Sequence, residues 1–224
     1  MITCIKEVLK HSILTPKNSI AILGIHTGIG KTISSAVLAE AMGADYWKPV
    51  QAGMEERDAA TVRSLLTNGH ERVHEEAIKL SQPMSPHAAA QIDGVEIDFT
   101  KFVWPQTGKT LLVETAGGIL SPMSSTTTMA DFVTHYNLPA ILITQNYLGS
   151  INHTLLSIEV LKSRGIRLLG IVISGAPYAS SEEFIVQYSG VPILARVPHI
   201  EQLSNESVVA CAAQINRSLL AFDF

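Results

Sequence analysis

The sequence predicts a three-layer α/β fold in which a mainly parallel central sheet is flanked by helices. Short apolar runs of strand length alternate with longer amphipathic stretches from residue 19 onward, which is the order expected of βαβ units. The apolar runs 140–143 and 170–173 contain no polar alternation, as is typical of strands covered by helices on both faces. With 224 residues, 46% of them apolar and 16% charged, the chain is long enough for one compact domain with a large core.

The predicted elements follow one another with little interruption. In chain order, strands are predicted at 19–24, 45–48, 110–114, 139–144, 168–174 and 192–197. Helices are predicted between them at 32–42, 58–66, 129–135, 151–164, 181–188 and 204–219. Thr32 and Ser204 resemble helix caps, and Gly43 and Gly165 mark helix ends. The stretch 69–107 is the least regular, and no strand or helix is predicted in it.

Charge and cysteine content exclude several classes of protein. The net charge of -4 leaves no general basic field that would attract nucleic acid or anionic lipid. Cys4 and Cys211 have no CxxC spacing, so neither a zinc site nor a disulfide framework is predicted. No apolar run approaches the ~20 residues of a membrane helix. We expect a cytoplasmic protein, with an N-terminal extension at 1–18 that forms a short docked helix.

Residues 24–32, Gly-Ile-His-Thr-Gly-Ile-Gly-Lys-Thr, form the most informative segment. An apolar strand runs into a glycine-containing turn, which ends in Gly-Lys-Thr and an amphipathic helix. In this context the N–H groups of the helix start surround a polyphosphate, Lys31 neutralises its oxygens and Thr32 binds Mg²⁺. The match to G-x-x-x-x-G-K-S/T is imperfect because Ile25 replaces the first glycine, so a plain strand–helix turn is the alternative. A second Gly-Lys-Thr, at 108–110, precedes a strand and is predicted to be a loop.

Lys48 and Glu114 each end a predicted strand. The carboxyl ends of the strands border the ligand crevice in an open parallel sheet. Pro49 stops further strand pairing after Lys48, although a solvated lysine is by itself the commoner interpretation of this position. Glu114 closes a buried apolar strand next to two glycines, at a position suited to Mg²⁺ either directly or through water.

Asp58 and the histidines have ordinary interpretations when each is considered alone. Asp58 lies at a predicted helix start, where an N-cap is common. His70 and His74 have the spacing of two ligands on one helical face. They have no acidic or cysteine partner at metal spacing, so we expect no metal site there.

Together, these segments resemble the dethiobiotin synthetase family of the P-loop superfamily. The matching stretches are 24–32, 48–53, 85–87, 114–118, 148–156 and 197–198. The Gly-x-x-Asn-His-Thr-Leu-Leu stretch at 149–156 is more diagnostic than the phosphate turn, which many ATPases share. The resemblance implies a P-loop NTPase-like form of the three-layer fold, with 19–224 as a single domain and 1–18 outside it.

The resemblance also implies a reaction, in which 7,8-diaminononanoate, CO2 and ATP with Mg²⁺ give dethiobiotin, ADP and phosphate. A substrate amine captures CO2 as a carbamate, whose oxygen takes the γ-phosphoryl group. The second amine attacks the resulting carbamic-phosphoric anhydride, which closes the ureido ring and expels phosphate. Lysines and a dication would offset the repulsion between the anionic carbamate and ATP.

The resemblance assigns roles to residues of this sequence. The implied catalytic residues are Lys48, which holds the carbamate, and Lys31 and Thr27, which contact the phosphoryl-transfer centre. The implied metal ligands are Thr32, Asp58 and Glu114. The implied nucleotide-binding residues are Gly28, Ile29, Gly30, Lys31, Thr32, Ile33, Asp58, Glu114, Ser174, Gly175, Pro198, His199 and Ile200. The implied substrate-binding residues are Lys48, Ala52, Gly117, Gly118, Gly149, Ser150, Ile151 and Asn152.

Members of the family act as homodimers, with active sites near the subunit interface. The resemblance implies that the second subunit holds the substrate carboxylate at its helix start, at 149–152, where free N–H groups suit an anion. The expected partners are therefore a second copy of the chain, diaminononanoate and CO2, with no nucleic acid and no membrane.

Four positions depart from the family pattern. Ala52 stands where a substrate-contacting serine can occur, and Thr115 replaces the glycine after the acidic residue. His26 replaces an Asp that many members have, and Ser174 replaces a common Asn that reads the nucleotide base through its amide. Because serine offers one hydroxyl instead of an amide donor and acceptor, we expect weaker discrimination in favour of adenine.

The sequence also bears on three other classes of function. An amidating ligase needs a glutamine-hydrolysing domain with a reactive cysteine, and neither Cys4 nor Cys211 lies in a nucleophile-like turn. A partition-type ATP switch carries a signature lysine where this chain has His26. The retained Lys31 and Lys48 argue against a degenerate sensor. A nucleotide-dependent switch or sensor domain of the same superfamily, without ligase activity, is the alternative to the synthetase.

Overall fold

The computed structural model describes residues 18–222, and a seven-stranded sheet runs through their centre. The strands are β1 (Ser19–Gly24), β2 (Asp45–Trp47), β3 (Val50–Ala52), β4 (Val73–His74), β5 (Ile78–Leu80), β6 (Leu111–Glu114), β7 (Ala140–Gln145), β8 (Leu168–Ser174) and β9 (Ile193–Val197). The helices are α1 (Lys31–Met42), α2 (Asp58–Leu65), α3 (Gly69–Arg72), α4 (Pro86–Asp93), α5 (Met129–His135), α6 (Ser150–Ser163), α7 (Ala179–Ser189) and α8 (Asn205–Ala213). The docked helix predicted for the N-terminal extension lies outside the described residues.

The strand order of the central sheet is β4-β2-β6-β1-β7-β8-β9, and its pairings are parallel. The strands β2, β4 and β6, which follow β1 in the chain, lie on one side of it in the sheet. The later strands β7, β8 and β9 lie on the other side. In an open parallel sheet, such a change of side leaves a crevice at the carboxyl ends of the central strands.

Helices cover both faces of this sheet. Ile20 and Ile22 of β1 belong to a buried apolar cluster with residues of α1, α2 and α8. Ala21 and Leu23 belong to a second cluster, which includes residues of α4, α5, α6 and α7. Because successive residues of one strand enter opposite clusters, the strand reads as a continuous apolar run. The predicted three-layer fold with a mainly parallel sheet is confirmed.

The bounds of β1, β8 and α5 agree with the sequence prediction, and Ser204 caps α8 as expected. The helix predicted at 204–219 is too long, because α8 ends at Ala213 and a 3₁₀ segment, Arg217–Leu220, follows. The Asn216 side chain accepts a hydrogen bond from the N–H of Ser218 at 3.1 Å, and this local bond competes with continuation of the helix.

Three further expectations need correction. Thr32 does not cap α1, because Gly30 holds the N-cap position and the Thr32 hydroxyl donates to carboxylates instead. His70 lies in α3 and His74 in β4, so they do not share a helical face. The irregular stretch contains α3, α4, β4 and β5, and β5 forms a separate two-stranded parallel sheet with β3.

None of the helices within residues 18–222 has both the length and the apolar character that crossing a membrane requires. The longest, α6, has 14 residues, whereas a membrane-spanning helix needs about 20.

Candidate active site

The turn between β1 and α1 exposes the N-terminal end of a helix. Gly28 and Gly30 have φ angles of 80° and 81°, a left-handed conformation that glycine adopts readily. A Cβ on Gly30 would also lie 2.3 Å from the Ser174 hydroxyl oxygen, so a side chain there would require Ser174 to move. No side chain caps α1. The N–H groups of its first turn are therefore suited to a phosphate.

Lys31 is the first residue of α1, and its side chain folds back over the turn. Its Nζ donates to the carbonyl oxygen of His26 at 3.2 Å, and the residue is only 7% exposed. Burial lowers the pKa of Lys31, while attraction to Glu114 and Asp58 acts in the opposite direction. A buried lysine beside free helical N–H groups can neutralise the oxygens of a bound polyphosphate.

The sheet register brings Lys48 next to Glu114. Tyr46 pairs with Leu112 and Trp47 with Val113, so the next residues along each strand come side by side. Lys48 Nζ lies 3.3 Å from Glu114 Oε1, and it also forms an ion pair with Asp58. Burial disfavours the charge, but attraction to these two carboxylates prevails and raises the pKa of Lys48. Lys48 is therefore a cation at the end of β2.

Three oxygen donors converge beside Lys48. Thr32 Oγ1 lies 2.5 Å from Asp58 Oδ1 and 3.2 Å from Glu114 Oε1. Within residues 18–222, no group of three or more His, Cys, Asp or Glu side chains is arranged to hold a metal ion. A hydroxyl with two carboxylates nevertheless fits Mg²⁺, which usually takes one or two carboxylates and completes its shell with water and phosphate oxygens.

Ser35 and Tyr46 hold the other oxygen of Glu114. Ser35 Oγ donates to Glu114 Oε2 at 2.8 Å, and the Tyr46 hydroxyl donates to the same oxygen at 3.0 Å. Burial, together with the charge of Glu114, raises the pKa of Tyr46 well above its ordinary value, so the phenol keeps its proton. Neither residue is among the site residues predicted from the sequence. Their spacing was a usable signal, because Ser35 is one helical turn after Thr32, and Tyr46 shares a strand face with Lys48.

Asp58 is the first residue of α2, and this helix start sets its position. The N-cap of this helix is Arg57, so Asp58 is not the cap that its ordinary interpretation suggested. Its backbone N–H donates to Gln51 Oε1 at 3.2 Å, and the Arg57 guanidinium binds the buried carboxylate of Glu76 through two nitrogens. Gln51 is itself buried. Sequence reasoning gave no role to this glutamine.

These groups line one cavity of about 720 Å³ at the carboxyl ends of β1 and β2. The predicted site residues among its lining are Thr27, Gly28, Gly30, Lys31, Thr32, Ile33, Lys48, Ala52, Asp58 and Gly117. Glu114 joins them through its contacts with Thr32 and Lys48. The side chain of Ile29 instead packs in the core, which leaves only its backbone for a ligand.

The other predicted residues lie outside this cavity. Ser174 borders the phosphate turn through Gly30, and the N–H of Gly175 bonds to the carbonyl of Val197. Residues 198–200 directly follow β9 on the same edge of the sheet. Gly118 and His26 line a different cavity, with Tyr147 and His153.

The predicted carboxylate site is also separate. Gly149, Ile151 and Asn152 line a cavity of about 760 Å³ at the start of α6, whereas Ser150 is buried and does not line it. Leu148, on the rim of this cavity, is fully exposed. Within one chain, these residues and Lys48 therefore belong to two distinct cavities.

Comparisons with known proteins show similarity in sequence and in fold. Residues 18–207 match the family model described as an AAA domain. A chain of the MinC:MinD cell division protein complex of Aquifex aeolicus has a similar fold. The TM-score is 0.51 at 12% identity, and the match covers 92% of this chain and 97% of that chain.

Two curated relatives are much more similar in sequence. The ATP-dependent dethiobiotin synthetase of Cytophaga hutchinsonii is 46% identical over 87% of this chain and 95% of its own. The enzyme of the same name from Chlamydia pneumoniae is 40% identical over 87% of each chain. Because the likeness covers nearly the full length of both relatives, the chain belongs to the family of ATP-dependent dethiobiotin synthetases.

Proposed function

We propose that this protein is an ATP-dependent dethiobiotin synthetase, a cyclo-ligase that joins 7,8-diaminononanoate and CO2 at the expense of ATP. The observation that carries the proposal is the position of Lys48. It lies beside the oxygen donors Thr32, Asp58 and Glu114 in the cavity that also contains the phosphate turn. Lys48, a cation that can bind a carbamate, therefore lies next to the groups that can bind a triphosphate and its metal ion.

The proposed reaction needs no protein nucleophile. One substrate amine attacks CO2 and loses a proton, which gives a carbamate. A carbamate oxygen then attacks the γ-phosphorus of ATP, and ADP leaves. The nitrogen of the second amine attacks the carbonyl carbon of the anhydride and loses its proton, while the C–O bond to phosphate breaks. Catalysis by the protein consists of orientation and charge stabilisation.

Each role is assigned to a residue of the cavity. Lys48 holds the carbamate, and Lys31 and Thr27 contact the transferring phosphoryl group. Thr32, Asp58 and Glu114 would hold Mg²⁺, which supplies positive charge to the phosphate oxygens when it is bound. The positive charge of Lys48 fits this task, because the group that it receives is an anion.

Nucleotide and substrate subsites complete the proposal. The phosphates bind to the turn containing Gly28 and Gly30 and to the start of α1, which includes Ile33. The base lies toward Ser174, Gly175 and residues 198–200. The diaminononanoate chain passes Ala52 and Gly117. We also propose a cytoplasmic homodimer in which the partner subunit offers its 149–152 segment to the substrate carboxylate. The separate cavity at the start of α6 supports a second-subunit contribution.

The proposal is tested by measuring phosphate release from ATP with diaminononanoate, bicarbonate and Mg²⁺, together with detection of dethiobiotin by mass spectrometry. We expect phosphate and dethiobiotin in equal amounts, and neither without the diamine. Equal phosphate release without the diamine would reject the ligase and favour a nucleotide-dependent switch or sensor.

A further inference from the structure

The two oxygens of Glu114 have different surroundings. Oε1 faces the cavity groups, at 3.2 Å from the Thr32 hydroxyl and 3.3 Å from Lys48 Nζ. Oε2 faces the interior, where it accepts hydrogen bonds from Ser35 at 2.8 Å and from Tyr46 at 3.0 Å. The carboxylate is 1% exposed, so these four protein groups replace the water that it has lost.

The two inward donors are neutral hydroxyls. Burying an ionised carboxylate is costly unless it is hydrogen-bonded, and the Ser35 and Tyr46 bonds meet that cost without adding a positive charge. A lysine or arginine at either position would stabilise Glu114 equally well, but it would also oppose the binding of a divalent cation at Oε1. Lys48 already contacts Oε1 from the cavity side. The neutral donors add no second positive charge, so they do not weaken the attraction of Oε1 for a divalent cation any further.

Ser35 lies on the helix that carries Thr32, and Tyr46 lies on the strand that Lys48 directly follows. Ser35 follows Thr32 by one turn of α1, and Tyr46 precedes Lys48 by two residues at the end of β2. Glu114 is thus held between this helix and this strand. Rotation of its carboxylate would break two bonds at Oε2, which fixes the direction of Oε1.

We propose that Tyr46 and Ser35 are positioning residues, which hold Glu114 with Oε1 directed toward the site of a divalent cation. The inference rests on the proposed function, since it concerns the metal that accompanies ATP. Removal of either hydroxyl leaves Glu114 with one inward donor and more rotational freedom. Loss of such an outer-shell partner commonly weakens metal binding by about 10-fold to 100-fold.

The test is direct binding of Mn²⁺ to the full chain. Free Mn²⁺ is followed by its electron paramagnetic resonance signal in the presence of a non-hydrolysable ATP analogue and without diamine. We expect Tyr46→Phe and Ser35→Ala each to raise the Kd for Mn²⁺ by roughly 10-fold. In the synthetase assay, the Mg²⁺ concentration for half-maximal rate should rise while the KM for diaminononanoate stays near the wild-type value.

The matched control is Tyr136→Phe. The Tyr136 hydroxyl is also buried and donates to the carbonyl oxygen of Phe99 at 2.5 Å, but it lies outside the cavity. This variant should lose comparable thermal stability and keep the wild-type Kd. An unchanged Kd in both Tyr46→Phe and Ser35→Ala would overturn the proposal, and if Tyr46→Phe fails to fold, Ser35→Ala decides it. Because the binding assay needs no turnover, failure of dethiobiotin formation would be detected separately.

Discussion

Two buried lysines share one cavity, and their pKa values shift in opposite directions. Burial dominates at Lys31 and lowers its pKa. At Lys48, attraction to Asp58 and Glu114 overcomes burial and raises it. Lys31 lies over the phosphate turn and Lys48 beside the oxygen donors, so their contributions should be separable by mutation.

Lys48→Ala should abolish ring formation but preserve most nucleotide binding, because it removes the carbamate cation and leaves the phosphate turn intact. Lys31→Ala should impair both. In both variants we expect kcat/KM for dethiobiotin formation to fall by at least about 10²-fold. A loss of this size is typical when a group that stabilises transition-state charge is removed. Nucleotide affinity is measured by calorimetry and turnover by dethiobiotin formation. Lys109→Ala, in the exposed second Gly-Lys-Thr, is the control. Full turnover by Lys48→Ala would refute the division of roles.

Ser174→Asn should increase selectivity for ATP, because its amide adds a donor and an acceptor for the base. The ratio of kcat/KM for ATP to that for CTP and GTP measures the effect. The same ratios in Ser174→Asn and the wild type would contradict a role of this position in reading the base.

Glu182 provides a test of pH dependence. It is 3% exposed, and it accepts bonds from Asn146 at 2.9 Å, from the N–H of Tyr178 at 3.0 Å and from Arg196 at 2.7 Å. Although burial opposes its charge, these bonds hold the pKa of Glu182 below its ordinary value. The folded state therefore favours the ionised form.

Glu182→Gln should lower the free energy of unfolding at pH 7 by about 2 kcal/mol, a value within the range measured for hydrogen bonds to charged groups. A depressed folded-state pKa contributes stability above the unfolded-state pKa, and this contribution is lost as the pH falls through the folded value. The deficit of the variant should therefore shrink in acid. Urea unfolding at pH 7, 5 and 4 measures it, with the exposed neighbour Glu183→Gln as control. A deficit independent of pH would refute the ionic contribution.

At the scale of elements, the phosphate turn offers a matched pair of glycines. Both Gly28 and Gly30 have positive φ, but a Cβ on Gly28 has nothing within 4 Å, whereas a Cβ on Gly30 meets Ser174. Alanine at either position incurs backbone strain of about 1 kcal/mol or more. Gly30→Ala should weaken nucleotide binding more than Gly28→Ala, as measured by calorimetry. Ser174→Ala should partly rescue Gly30→Ala. Absence of rescue would show that the contact is not the cause.

Long elements could be predicted from the sequence, because buried strands and amphipathic helices carry a strong local pattern. The three-residue strands β3 and β5 carry almost none, and they were missed. Site residues adjoining recognisable motifs, such as Lys31 and Glu114, were identified. The contact between Lys48 and Glu114 depends on the β2–β6 register, which local sequence does not encode. The spacing of Ser35 from Thr32 and of Tyr46 from Lys48 was a usable signal, but the hydrogen bonds of both hydroxyls to Glu114 depend on the folded structure.

At the scale of the whole molecule, the proposed homodimer is testable at the exposed start of α6. Leu148 is fully exposed there, and Tyr178 beside it is largely exposed. Leu148→Asp should shift sedimentation from dimer toward monomer and raise the KM for diaminononanoate, because a buried unpaired charge opposes association. Val103→Asp, at another exposed apolar residue, is the control. A monomeric wild type would refute the homodimer itself.

The two borders of the central sheet also affect how copies of the molecule can meet. One border, β4, has only two residues. The other, β9, carries the charged side chain of Arg196, bound to Glu182, and the 3₁₀ segment Arg217–Leu220 packs beside it. Edge strands that are short, charged or covered offer few unpaired N–H and C=O groups to a strand of another molecule. Folded copies of the molecule should therefore associate through contacts between side chains and not by pairing of their sheet borders. Amyloid-like growth from the folded state is disfavoured for the same reason.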